Sequence, residues 1–149
     1  IGSIQSRKAN RIAEIFDWVH TVDNVKVATK LNNARPKSRG LLNVCLQLNI
    51  DNEESKSGLD LKEIDSFIEQ TRALENLKIR GLMVIPRSRE ALVEQKEIFG
   101  IVKNIFLALN EKGNNFDTLS MGMSSDYAAA IQEGATMVRV GTGIFGPRK

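Results

Sequence analysis

The chain has 149 residues, a formal net charge of +3, 42% apolar and 26% charged residues. That is the composition of about one ordinary globular domain, long enough to bury a core. It excludes a transmembrane helix, because no stretch approaches the roughly 18 apolar residues of a membrane span. No signal peptide is legible, and the single cysteine, Cys45, lies in an apolar run and reads as a buried free thiol. Together these point to the cytoplasm. Residues 1–40 hold eight Lys or Arg against Glu14, Asp17 and Asp23. No aromatic interleaving or binding motif accompanies that charge, so it reads as a solvated face and not as a nucleic-acid surface.

In chain order, the pattern is a repeated strand–helix alternation. The chain opens at Ile1 on IGSIQ, without a Met, which reads as the tail of a strand and raises the expectation of further chain upstream. A helix follows, with Ile12, Ile15 and Phe16 on one face. FDWVHTVD reads as a short strand. Asp23 is placed to cap the next helix, which carries Val25, Val27, Ala28 and Leu31 and ends before the ARPKSRG loop. The run 41–50, LLNVCLQLNI, is apolar almost throughout, as expected of a strand covered on both faces. DNEESKSGLD is a polar loop. Asp60 and Glu63 have capping-box spacing ahead of Ile64, Phe67, Ile68 and Leu74.

IRGLMVIP, 79–86, is the next strand, stopped by Pro86. Ile98, Val102, Ile105, Phe106 and Leu109 then mark a long helix closed at Lys112-Gly113. FDTLSMGM, 116–123, is a strand. A short helix begins near Ser124 and ends at Gly134, and TMVRV is the last strand. Five whole strands plus the stub at Ile1 alternate with helices, which implies a parallel sheet of either the doubly wound or the (β/α)8 type.

The final GTGIFG, Gly141 to Gly146, has dinucleotide-motif spacing. That motif requires a helix after it and an acid about twenty residues on. Only Pro147, Arg148 and Lys149 follow, leaving no room for either. The alternative is a phosphate cup from the loops after the last two strands. Such a cup needs close backbone approach, amides and short hydroxyls. Ser120, Gly122, Ser124, Gly141 and Thr142 supply those types; they also fit two ordinary Gly-containing turns. Arg139 alternates with Val138 and Val140, and an inward-facing Arg there needs an anion or an acceptor.

The stretches IGSIQSRK, ESKSG, RGLMVIP, TLSMGMSSD and TMVRVGTGIFG, in order over all 149 residues, resemble the pyridoxal phosphate homeostasis (YggS/PROSC) family. Its members resemble the N-terminal barrel domain of alanine racemase and bind pyridoxal 5′-phosphate. The resemblance implies a single α/β barrel domain over 1–149, of TIM-barrel type, comprising the C-terminal five to six βα units. It implies that Ser120, Gly141 and Thr142 hold the phosphate, with help from Gly122 and the Met123–Ser124 turn, and that Arg139 faces the pyridine nitrogen. The family's Schiff-base lysine lies in a first-strand context not present in this chain. Lys56 of ESKSG reads as solvated and is no substitute.

An arginine cannot take the ring proton that makes the cofactor a strong electron sink. The expected function is therefore a carrier in vitamin B6 homeostasis with little turnover. The expected state is a monomer, with pyridoxal-phosphate-dependent apo-enzymes as recipients and no membrane partner. The alternative is a fold-type III amino-acid racemase, which needs a second acid/base; the only tyrosine, Tyr127, sits in the helix after SMGMS. A phosphosugar-type barrel enzyme is a third option. His20 reads as a structural histidine, and Asp51, Glu53 and Glu54 as solvated acids.

Overall fold

The computed structural model describes residues 1–53 and 57–147, so Glu54 and Lys56 lie outside the described residues. The elements are α1 (Ala9–Ile15), β1 (Trp18–Val22), α2 (Val25–Ala34), β2 (Leu42–Leu48), α3 (Ile64–Thr71) and β3 (Leu77–Val84). They continue with α4 (Leu92–Glu111), β4 (Thr118–Met123), α5 (Tyr127–Gln132), β5 (Met137–Arg139) and α6 (Thr142–Phe145). Among the described residues, no helix is long and apolar enough to cross a membrane.

All pairings are parallel and the sheet order is β1-β2-β3-β4-β5, the order of the chain itself. A doubly wound sheet reverses its order part-way; this one does not. With right-handed crossovers and no reversal, the helices all fall on one face, and the sheet curls like a barrel wall. Two cross-sheet contacts measure the curl. His20 of β1 reaches Ser120 of β4 at 2.8 Å, and Arg139 of β5 reaches the Val84 carbonyl of β3 at 2.8 Å. In a flat sheet β1 and β4 stand about 14 Å apart. The fold is thus a half-barrel of five strands: the alternation implied the parallel sheet, and the resemblance implied the barrel type.

The core lies between the strands and their helices. Phe99, Leu31, Leu46, Leu82 and Met121 are fully buried there. Arg35 is buried too, and all five of its N–H groups are used: on the carbonyls of Gly40, Ala13, Phe16 and Arg39 and on Asp17. It clamps the end of α1 to the turn after α2, although its sequence setting reads only as a basic loop.

Several boundaries differ from the sequence reading. Residues 1–5 form no strand. In α1 the buried positions are Ala9 and Ala13, whereas Ile15 and Phe16 are exposed. The cap of α2 is Asn24, whose side chain accepts from the Val27 amide at 2.9 Å, and Asp23 instead accepts from Asn24. α5 starts at Tyr127 and not at Ser124, because Ser124–Asp126 form a turn. The capping box at Asp60 and Glu63 is present as expected. Asp51 and Glu53 are not solvated: Asp51 pairs with Arg89 and accepts from the Arg87 amide, and Glu53 pairs with Arg87 at 3.0 Å.

The β2–β3 register shifts between Val44 and Cys45, leaving Arg80 as an extra residue. Gly81 follows it at φ 153°, and a Cβ there would meet the Thr118 carbonyl oxygen at 1.9 Å. This bulge aims Arg80 at Asp117 and over the Trp18 ring at 4.7 Å. Gly81→Ala is expected to cost about 2 kcal/mol or more, read as a lower midpoint in urea unfolding. An unchanged midpoint would contradict the close approach of β4.

Candidate functional site

The site forms where the ends of β4 and β5 release their chains. β4 carries Ser120 on the concave side of the sheet, fully buried. Gly122 follows with φ 92°, and a Cβ on it would meet the Ala130 Cβ at 2.6 Å, so glycine lets α5 pack against the strand end. The chain then turns: the Met123 amide donates to Asp126 Oδ1 at 2.6 Å. From the next strand, Gly141 leads directly into α6, a single helical turn. The sequence left no room for a helix after Gly146; the helical turn is instead inside GTGIF itself. Ser124 Oγ accepts from the Gly143 amide at 3.0 Å and so ties the two loops together.

Between these loops is a cleft of about 670 Å³, a size suited to a small ligand. Of the residues singled out in the sequence, Met123, Ser124, Arg139, Gly141 and Thr142 line it. Ser120 and Gly122 lie beneath it, the first supporting Arg139 and the second supporting α5. The donors offered upward are the Thr142 amide and hydroxyl, which meet no acceptor among the described residues.

Arg139 is the charged group of the cleft. One terminal nitrogen donates to Ser120 Oγ at 2.7 Å and the other to the Val84 carbonyl at 2.8 Å. Both acceptors are neutral, and no carboxylate pairs with Arg139 among the described residues. Burial pushes its pKa down, and the field of Asp126 opposes the shift. The guanidinium is therefore charged, anchored from below and available to an acceptor from above.

Two further residues complete the surroundings. His20 Nδ1 lies 2.8 Å from Ser120 Oγ, and burial followed by the nearby Arg139 charge lowers its pKa. Sequence reading treated it as structural. Its signal was a polar residue between buried Val19 and Thr21 near the end of a barrel strand, where inward positions carry chemistry. Cys45 is wholly buried, and burial pushes its thiol up to about 12. Among the described residues, no cluster of His, Cys, Asp and Glu is placed to hold a metal ion.

The comparisons with known proteins agree with the fold. The alanine racemase N-terminal domain model matches residues 1–149. The chain belongs to that family. The pyridoxal phosphate homeostasis protein of Escherichia coli strain K12 is 46% identical over 148 residues, covering 99% of this chain and 63% of the relative. The protein of the same name from Pseudomonas aeruginosa is 47% identical, with the same coverage. The chain thus spans about 63% of the length of these curated relatives. Among solved structures, PipY of Synechococcus elongatus PCC7942 with PLP bound has 34% identity and a TM-score of 0.88, over 98% of this chain and 68% of that one. Alanine racemase of Clostridium difficile 630 shares the fold at a TM-score of 0.76 and 16% identity, over 99% of this chain and 41% of its own.

The burial of Cys45 can be read directly from its reactivity. A thiol held near 12 carries almost no thiolate at pH 8. Cys45 should stay inert to a disulfide reagent in the native state and react once urea unfolds the sheet. Reaction at the rate of free cysteine without denaturant would contradict its placement.

Proposed function

We propose that the cleft binds pyridoxal 5′-phosphate and that the chain acts in vitamin B6 homeostasis as a carrier with little turnover. The observation that carries this reading is Arg139, a guanidinium held by two neutral acceptors and facing a cleft with no carboxylate partner. Bound pyridoxal phosphate supplies an electron sink whose strength depends on protonation of its ring nitrogen. Arg139 can only donate, so it holds that nitrogen unprotonated and keeps the sink weak.

The other residues fit the phosphate end. Thr142, Gly141 and Ser124 line the cleft, and Ser124 Oγ joins the two loops through the Gly143 amide. Gly141 leaves open space where a Cβ would project, so an anion can approach the backbone closely. Ser120 acts one layer down, as the anchor of Arg139. Gly122 and Met123 shape the turn that presents Ser124.

Little turnover follows from the lining. Among the described residues no carboxylate, lysine or tyrosine lines the cleft, and Tyr127 lies outside it on α5. The homeostasis name of the relatives, and the PLP in PipY, support the same reading. We assign the chain to the cytoplasm as a monomer, with pyridoxal-phosphate-dependent apo-enzymes as recipients.

Equilibrium dialysis tests the phosphate assignment. The protein should prefer pyridoxal phosphate over pyridoxal, which lacks the anion. Thr142→Ala and Ser124→Ala should each weaken pyridoxal phosphate binding by about tenfold, the loss of one hydrogen bond to a charged group. They should leave the weaker binding of pyridoxal nearly unchanged. Wild-type affinity for pyridoxal phosphate in both variants would contradict the assignment.

A further inference from the structure

The hydrogen bonds at Ser120 constrain each other. Arg139 has only donors, so Ser120 Oγ must accept from it across the 2.7 Å contact. Ser120 has one proton of its own to donate. Among the described residues its only other partner is His20 Nδ1, at 2.8 Å. Only by donating to Nδ1 does that proton find a partner there, and this arrangement requires a neutral imidazole with its proton on Nε2. The chain of bonds then runs from Arg139 through Ser120 into His20.

We propose that His20 is the positioning residue for Arg139, acting through Ser120 as a neutral imidazole, and that a proton on His20 loosens the hold of Arg139 on its ligand. This rests on the pyridoxal phosphate reading of the cleft. A proton on Nδ1 would make His20 a second donor to Ser120 Oγ. The serine hydroxyl would lose the acceptor for its own proton, and a new positive charge would stand close to Arg139.

The surroundings favour the neutral form. From β5, His20 faces the Arg139 cation. From β4 it faces only the Ser120 hydroxyl, and on its own strand the Trp18 ring lies at 5.8 Å. None of these groups is an anion, so nothing among them stabilises an imidazolium. His20 also lines the hollow beside the cleft, together with Arg139 and Met123.

The test has two readouts, and the chain's single histidine makes the first unambiguous. Nitrogen-15 NMR of the imidazole at pH 7.5, without ligand, should show a bare Nδ1 and a protonated Nε2. A proton on Nδ1 would overturn the proposal. The second readout is pyridoxal phosphate affinity by equilibrium dialysis between pH 7.5 and 5.5, with folding checked at each pH. His20→Asn keeps a carbonyl acceptor near the Nδ1 position but cannot titrate; His20→Leu removes the acceptor.

Wild type should lose about two- to threefold more affinity across this range than His20→Asn, because burial holds the imidazole below its ordinary value and only part of it takes up a proton by pH 5.5. At pH 7.5, His20→Leu should bind more weakly than wild type, and His20→Asn should recover most of that loss. The ligand's own titration is common to all three proteins and cancels in the comparison. Identical profiles for wild type and His20→Asn would overturn the proposal. If wild type takes up no pyridoxal phosphate at pH 7.5, the cofactor reading falls, and the imidazole spectrum alone decides the positioning of Ser120 and Arg139.

Discussion

The arrangement depends on one constraint: a guanidinium on the concave side of the sheet with no carboxylate to pair it. Arg139 is tied to Ser120 and to the Val84 carbonyl, two acceptors that leave its full charge in place. A partly desolvated cation is costly unless a ligand or water completes its hydrogen bonding. The curl of the sheet makes the contacts possible, because β3, β4 and β5 bring their inner faces within side-chain reach. On the proposed reading, the cleft takes an acceptor atom over Arg139 and an anion over the Thr142 turn.

The same arginine sets the chemistry. A carboxylate at this position would favour a protonated ring nitrogen and a strong electron sink. On the proposed reading, Arg139 withholds that proton. The cleft lining adds no carboxylate, lysine or tyrosine among the described residues. On the proposed reading, a site that holds its ligand yet weakly activates it suits storage and delivery better than turnover. The chain spans about 63% of the length of its curated relatives.

Much of this was legible in the sequence because the strands are strongly patterned. LLNVCLQLNI and IRGLMVIP announce buried strands, and the long stripe from Ile98 to Leu109 announces α4. The glycines and hydroxyls after β4 and β5 marked both cleft loops. What stayed hidden depended on tertiary neighbours. Arg35 reads as loop charge, yet five backbone and side-chain acceptors gather around it. Asp51 reads as solvated, but Arg89, 38 positions away, closes over it. His20 gains its meaning only from Ser120, 100 residues on, through the curl of the sheet. The helical turn at Thr142–Phe145 was missed because a glycine-rich stretch gives no helical periodicity.

The central claim is that Arg139 confronts the ligand's ring nitrogen as a donor that cannot release its proton. Nitrogen-15 NMR of the protein loaded with ring-labelled pyridoxal phosphate at neutral pH measures this directly. The account predicts the chemical shift of an unprotonated, hydrogen-bonded pyridine nitrogen, moving toward the free value in Arg139→Met. The shift of a pyridinium nitrogen in the wild-type protein would contradict it.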